Sequence, residues 1–299
     1  MIILAANFNG HQGAVTTLAL SENDHSFFSG GADGLVVRWS LKMPNEGEVI
    51  LKLQGYIACI TYDAEEELLY ASVNHKGVYI ISSNRKILEF IDIPATSFGK
   101  MKLVLNSIIL STNIGEILIL EKKGGKVQHR ITTGLTSYPP FACNQTEVWF
   151  ASVDAVNRLN LANGNKKNIQ YKCNSPVESI VLGQSEAILF SSHSVFSVGY
   201  KKMKIISLPT FPQALGITNI VFNQVCFHLN QSAFLGLTET NLLIHFEVLK
   251  NGLNLLNQSE NKHKDRINDI LWIENYKFVV TAGSNSKIGV WQLHQNSSS

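Results

Sequence analysis

The sequence predicts an all-β, seven-bladed propeller built as one domain over residues 1–299. Three observations carry this: matched segments at the two ends of the chain, a small-residue marker recurring between them, and a spare apolar strand at the N-terminus. The matched segments come first. His11, Ser29, Asp33 and Trp39 recur as His263, Thr281, Asn285 and Trp291, and Gly31 and Leu41 recur as Gly283 and Leu293. Every pair lies 252 residues apart, which is six periods of 42. A repeat of about 40–45 residues is the length of a four-stranded propeller blade. Six intervals imply seven blades, and a ring of six or eight is the alternative.

The middle of the chain fills in this period. Small residues at Ser29, Ser72, Ser111, Ser152, Ser192, Gly236 and Thr281 follow one another at intervals of 39 to 45 residues. Each ends an apolar run such as Ile108-Ile109-Leu110 or Val148-Trp149-Phe150. A tight turn and another apolar strand follow most of them, as in Asp33-Gly34-Leu35-Val36-Val37. Glycine after the turn residue supplies the positive φ that a short hairpin requires. Short β-branched and aromatic runs punctuated about every ten residues read as strands. The blades fall at 10–50, 51–93, 94–132, 133–172, 173–208, 209–257 and 258–293.

The last of these holds only three strands, and residues 1–8 stand outside the first. Ile2-Ile3-Leu4-Ala5 is therefore predicted to supply the missing strand and close the ring without exposed sheet edges.

Composition narrows the function classes. Hydrophobic residues make up 45% and charged residues 16%, with a net charge of +2, so no strong overall field draws the chain to nucleic acid or membrane. No run approaches the 18 apolar residues of a membrane-spanning helix. The first eight residues lack the basic leader and long apolar core of an export signal. The four cysteines, Cys59, Cys143, Cys173 and Cys226, form no CxxC pair and read as buried free thiols. A cytoplasmic protein is expected.

On Gly10-His11, Ser29, Asp33 and Trp39, echoed by His263, Thr281, Asn285 and Trp291, the sequence resembles the tryptophan–aspartate (WD) repeat family. The resemblance implies that these residues form a hydrogen-bonded network within a blade. It departs from the family at Ser40 and Gln292, where aspartate would follow the tryptophan, and at Lys76, Ile114 and Thr240, which occupy the turn-aspartate position. The family's propellers most often take partners on one face, here called the top. By that resemblance the candidate partner-binding residues are Thr16, His75, Asn113, Glu178, His193, Asn223, Glu239 and Asn268. The implied function is a non-catalytic scaffold for a protein or peptide partner.

Chemistry-bearing sets are sparse. His11, Ser29 and Asp33 are the residue types of a hydrolase triad, but their recurrence in a second blade marks them as architecture. No histidine has a second ligand at zinc spacing, and Lys123-Gly124-Gly125-Lys126 lacks the spacing of a phosphate loop. No metal, cofactor or catalytic residue is expected. The inner strands read as mainly apolar or small, which argues against a channel enzyme. The other alternative is a nucleic-acid or anionic-lipid binder. It would use basic hairpins on the bottom face: Arg85-Lys86, Lys122-Lys123 with Lys126, Lys166-Lys167, and Lys201-Lys202 with Lys204. Asp63, Glu65, Glu66, Glu67, Glu147 and Glu186 are expected beside them.

Overall fold

The computed structural model describes residues 2–23, 25–94, 96–171, 176–183, 185–191, 194–201, 205–208, 222–227, 233–238, 241–249, 252–259 and 265–293. Blade one comprises β2 (Val15–Leu20), β3 (Ser26–Gly31), β4 (Leu35–Ser40) and β5 (Met43–Lys52). Blade two comprises β6 (Ile57–Asp63), β7 (Leu68–Val73), β8 (Gly77–Ser82) and β9 (Ile87–Asp92). Blade three comprises β10 (Phe98–Val104), β11 (Ser107–Thr112), β12 (Glu116–Glu121) and β13 (Val127–Thr132). Blade four comprises β14 (Phe141–Cys143), β15 (Glu147–Ala151), β16 (Ala155–Asn160) and β17 (Lys166–Gln170). Blade five comprises β18 (Val177–Leu182), β19 (Glu186–Ser191), β20 (Val195–Gly199) and β21 (Ile205–Leu208). Blade six comprises β22 (Phe222–Phe227), β23 (Ala233–Thr238), β24 (Leu243–Leu249) and β25 (Gly252–Gln258). Blade seven holds β26 (Ile267–Ile273), β27 (Phe278–Gly283) and β28 (Lys287–Leu293), with β1 (Ile2–Asn9) from the other end of the chain.

The chain is thus a seven-bladed propeller of four-stranded antiparallel sheets, and no α-helix occurs among the described residues. Three strands overrun the expected blade limits: β5 reaches Lys52, β25 reaches Gln258 and β1 reaches Asn9. Ser152, expected to end the second strand of blade four, lies just past β15 in a shortened turn.

β1 closes the ring as the sequence predicts, pairing antiparallel with β28 from Ile2↔Leu293 to Asn9↔Lys287. The register slips between Leu4 and Ala6. Residues two apart normally share a face, so this bulge sends the two halves of β1 to opposite faces of the blade. Ile2 and Leu4 pack with Trp272, Trp291 and Leu235 between blades six and seven. Ala6 and Phe8 pack with Val15, Phe27 and Trp39 between blades seven and one.

The innermost strands β2, β6, β10, β14, β18, β22 and β26 stand around the central channel that seven such sheets enclose. Side chains tie neighbouring inner strands to one another's backbone. Thr16 Oγ1 donates to the Ile57 carbonyl at 2.6 Å, and Ile60 N–H donates to Thr17 Oγ1 at 3.2 Å. Thr61 Oγ1 donates to the Met101 carbonyl at 3.3 Å, and Lys100 Nζ to the Phe141 carbonyl at 3.1 Å. The seam between last and first blades is tied twice: Asn268 Nδ2 donates to Val15 O and Leu18 N–H to Asp269 Oδ2, both at 2.7 Å.

Candidate functional site

Blade one contains the expected network. Both oxygens of Asp33 lie 3.1 Å from His11 Nδ1. A carboxylate only accepts, so Nδ1 carries the proton and Nε2 accepts from the Ser29 hydroxyl at 2.7 Å. Trp39 Nε1–H donates to the same hydroxyl at 2.7 Å. Burial would raise the Asp33 carboxyl, but the N–H groups of Leu35 and Gln12 and the His11 ring outweigh it and hold it below its ordinary value. Ser29 is wholly buried and its oxygen is engaged on both sides, so it is a structural hub and no exposed nucleophile. The packing demands glycine nearby: a Cβ on Gly31 would come within 2.6 Å of His11 Nδ1, and one on Gly47 within 2.6 Å of the Trp39 ring.

In blade seven Trp291 Nε1–H donates to Thr281 Oγ1 at 2.9 Å, and Asn285 accepts from Lys287 N–H at 3.2 Å. His263 lies outside the described residues.

The eight residues expected on the top face fare unevenly. His75 is exposed in a left-handed turn, with φ of 60°, and its Nε2 lies 3.2 Å from the Ser97 hydroxyl. Asn113 Oδ1 accepts from Ser97 N–H at 3.1 Å, so the top loops bring His75 and Asn113 to one shared serine. Glu178 and Asn268 are half-buried. Thr16 was expected on the binding face but is buried, its hydroxyl committed to the Gly30 and Ile57 carbonyls. A bulge between Val15 and Thr17 turns it away from the alternation a regular strand would give. Asn223 falls in β22, whose side chains are not described, and His193 and Glu239 lie outside the described residues.

Other top-face residues stand out in the structure. Tyr56 and Tyr138 lead into inner strands β6 and β14 and are 45% and 43% exposed. Exposed Arg266 leads into β26. The Tyr56 phenol is raised above its ordinary value by burial and by the Tyr138 phenol, with Arg266 opposing. Loops of three blades thus place two exposed tyrosines and an exposed arginine on the top face, within electrostatic range of one another. The Tyr138 ring lies flat on β10, where a Cβ on Gly99 would come within 2.5 Å of it.

Among the mainly apolar and small residues of the inner strands a few charged ones stand out. β10 carries Lys100 and Lys102 on one face, and β26 carries Asp269. Burial and the neighbouring Lys102 push the Lys100 ammonium down to about 8, partly opposed by Cys143, Asp269 and Cys59. These opposing groups belong to blades four, seven and two, and the ammonium itself lies against blade four, on the Phe141 carbonyl and 5.6 Å from the centre of the Phe141 ring. Cys59 is a buried free thiol pushed up to about 12 by burial, and Cys143 is a half-buried one. Cys173 and the side chain of Cys226 are not described.

On the bottom face two members of the expected basic arc are internally paired. Lys122 pairs with Asp63 across blades three and two, with side chains only 11% and 9% exposed. Arg85 pairs with Glu48 across blades two and one. Lys166 and Lys167 lie in strand β17 and not in its hairpin, and the Lys166 ammonium sits 5.3 Å from the centre of the Phe150 ring. Lys202 and Lys204 lie outside the described residues.

The His–Ser–Asp–Trp network of blade one is the one the resemblance to WD repeats implies. Residues 3–40 match the family described as "WD domain, G-beta repeat". Among solved structures, the crystal structure of the WD40 beta propeller domain of Doa1 superimposes with a TM-score of 0.77. That likeness covers 98% of this chain and 97% of that one at 13% sequence identity. The chain is a seven-bladed β-propeller whose residues 3–40 match a WD repeat. No helix among its described residues is long and apolar enough to cross a membrane.

Proposed function

We propose that this chain is a non-catalytic scaffold that binds a protein partner on the top face of its propeller. The observation carrying this reading is a set of exposed side chains on loops that lead into inner strands: Tyr56, Tyr138 and Arg266, the last two acting on the Tyr56 phenol. Tyrosine and arginine are the residues most enriched among those that dominate binding at protein interfaces. Loops on a rigid scaffold are a usual place for such contacts. His75 and Asn113 extend the surface with polar groups. The WD-repeat class supports the scaffold reading, since these propellers are generally interaction platforms. The internal pairing of Lys122 and Arg85 leaves less free charge on the bottom face for nucleic acid or lipid. The free thiols of Cys59 and Cys143 fit a reducing, cytoplasmic setting.

The test is affinity purification from native extract with three tagged proteins: wild type, Tyr56→Ala with Tyr138→Ala, and Lys123→Glu with Lys126→Glu. Recovery of the main partner should fall at least tenfold with the top-face variant and stay unchanged with the bottom-face variant. The reverse pattern would move the site to the other face.

A further inference from the structure

We infer that the channel beneath the mouth is an oxyanion site in which Lys100 and Lys102 receive an acidic side chain, carboxylate or phosphate, from a partner segment inserted from the top. This rests on the top-face reading above and specifies the chemistry of what enters.

The argument begins with strand geometry. Lys100 pairs with Ser111 and Lys102 with Ile109 in unbroken alternation, so the two side chains leave β10 on the same face. At about 3.3–3.4 Å of rise per residue their stems stand about 7 Å apart, a span one oxyanion can bridge with two flexible lysines. Like charges so placed repel each other unless a counter-charge sits between them. The structure supplies little of one. Among the described residues Lys102 has no hydrogen-bond or ion-pair partner, and Lys100 donates only to the Phe141 carbonyl. Asp269 is the carboxylate that acts on Lys100. Its oxygens already accept from Leu18 N–H at 2.7 Å and Ile270 N–H at 2.9 Å, where they hold the seam between blades seven and one.

The same reasoning points to a side chain on a peptide and away from a free ion. The Tyr138 ring rests on Gly99, the residue immediately before Lys100, so a segment crossing the tyrosines lies directly above the lysine pair. Tyrosine faces offer apolar contact area at small entropic cost. Arg266 adds a third cation at the rim. A segment with one acidic residue flanked by small or apolar ones fits this order of surfaces.

The test uses fluorescence anisotropy at low salt on the full chain with three labelled decapeptides. One is deca-glutamate, one is a glycine–serine peptide with a central phosphoserine, and one is deca-lysine. An acidic peptide should bind and deca-lysine should not. Affinity should fall at least tenfold in Lys100→Met with Lys102→Met, by a smaller factor in Lys102→Met alone, and not at all in Lys123→Glu. Lys102 is exposed, so its single variant preserves the fold if the double variant melts early. The stronger binder of the two acidic peptides identifies carboxylate or phosphate as the group received. Failure of both acidic peptides to bind, or unchanged affinity in both lysine variants, would overturn the inference. Partner recovery lost with Tyr56→Ala and Tyr138→Ala but kept with Lys100→Met and Lys102→Met would remove this proposal and leave the top-face reading standing.

Discussion

Equivalent serines in different blades have opposite energetic standing. Ser29 donates to His11 and accepts from Trp39 in a fully buried site. Ser111 occupies the same place in blade three, and its buried oxygen has no hydrogen-bond partner among the described residues. Losing a satisfied buried hydroxyl strands its partners at a cost of about 1–3 kcal/mol, whereas removing an orphaned one relieves a desolvation penalty. Ser29→Ala should therefore lower the urea midpoint by an amount worth about 1–3 kcal/mol. Ser111→Ala should leave the midpoint unchanged or raise it. Equal losses in both would show that the blade-one network contributes nothing of its own. The contrast also shows why only some residues could be read in advance. The His11 network needs particular donors and acceptors at fixed spacing, so it leaves a signature. Lys100 and Lys102 left none, because alternation assigns residues to two faces without saying which face meets the channel. Thr16 was misplaced for a related reason, since a bulge reverses alternation without any change in composition.

At the scale of the element, β1 carries a disproportionate role for eight residues. Its bulge lets one strand fill two different inter-blade spaces, with Ile2 in one and Phe8 in the other. Phe8 is 1% exposed and meets Trp39 and Phe27 edge-on at centroid distances of 5.5 and 5.7 Å. Truncating a buried phenylalanine to alanine costs about 3–5 kcal/mol, and Phe8→Ala should destabilise the whole ring by that amount in denaturant melts. Removing residues 2–8 should lower the melting temperature further and expose the edge of β28 to aggregation. A deletion variant that melts with wild type would show that the ring closes without this strand. This element was legible because the last repeat is one strand short and an apolar segment is left over at the start. Its bulge was not legible, since Ile2-Ile3-Leu4-Ala5-Ala6 offers an apolar residue at every position.

The whole molecule is held together by many small ties between neighbours. Hydroxyl, amide and lysine side chains bond the next inner strand's backbone, and ion pairs such as Lys122–Asp63 join adjacent blades at the bottom. The circular plan could be read from the 252-residue correspondence because first and last blades keep the same spacing of polar residues. The middle blades could be read only as a rhythm of apolar runs, because apolar packing accepts many sequences. The top face was legible as a set of loops, but the chemistry of its side chains was not. Tyr56, Tyr138 and Arg266 are far apart in sequence and come within electrostatic range only because the ring carries three blades' loops to one face. The most direct measurement of that claim is site-specific photo-crosslinking in native extract. A benzophenone amino acid replaces Tyr138 at the mouth in one protein and Lys123 on the bottom in another. The account predicts a discrete protein adduct from position 138 and none from position 123. An adduct from position 123 with nothing from position 138 would contradict it.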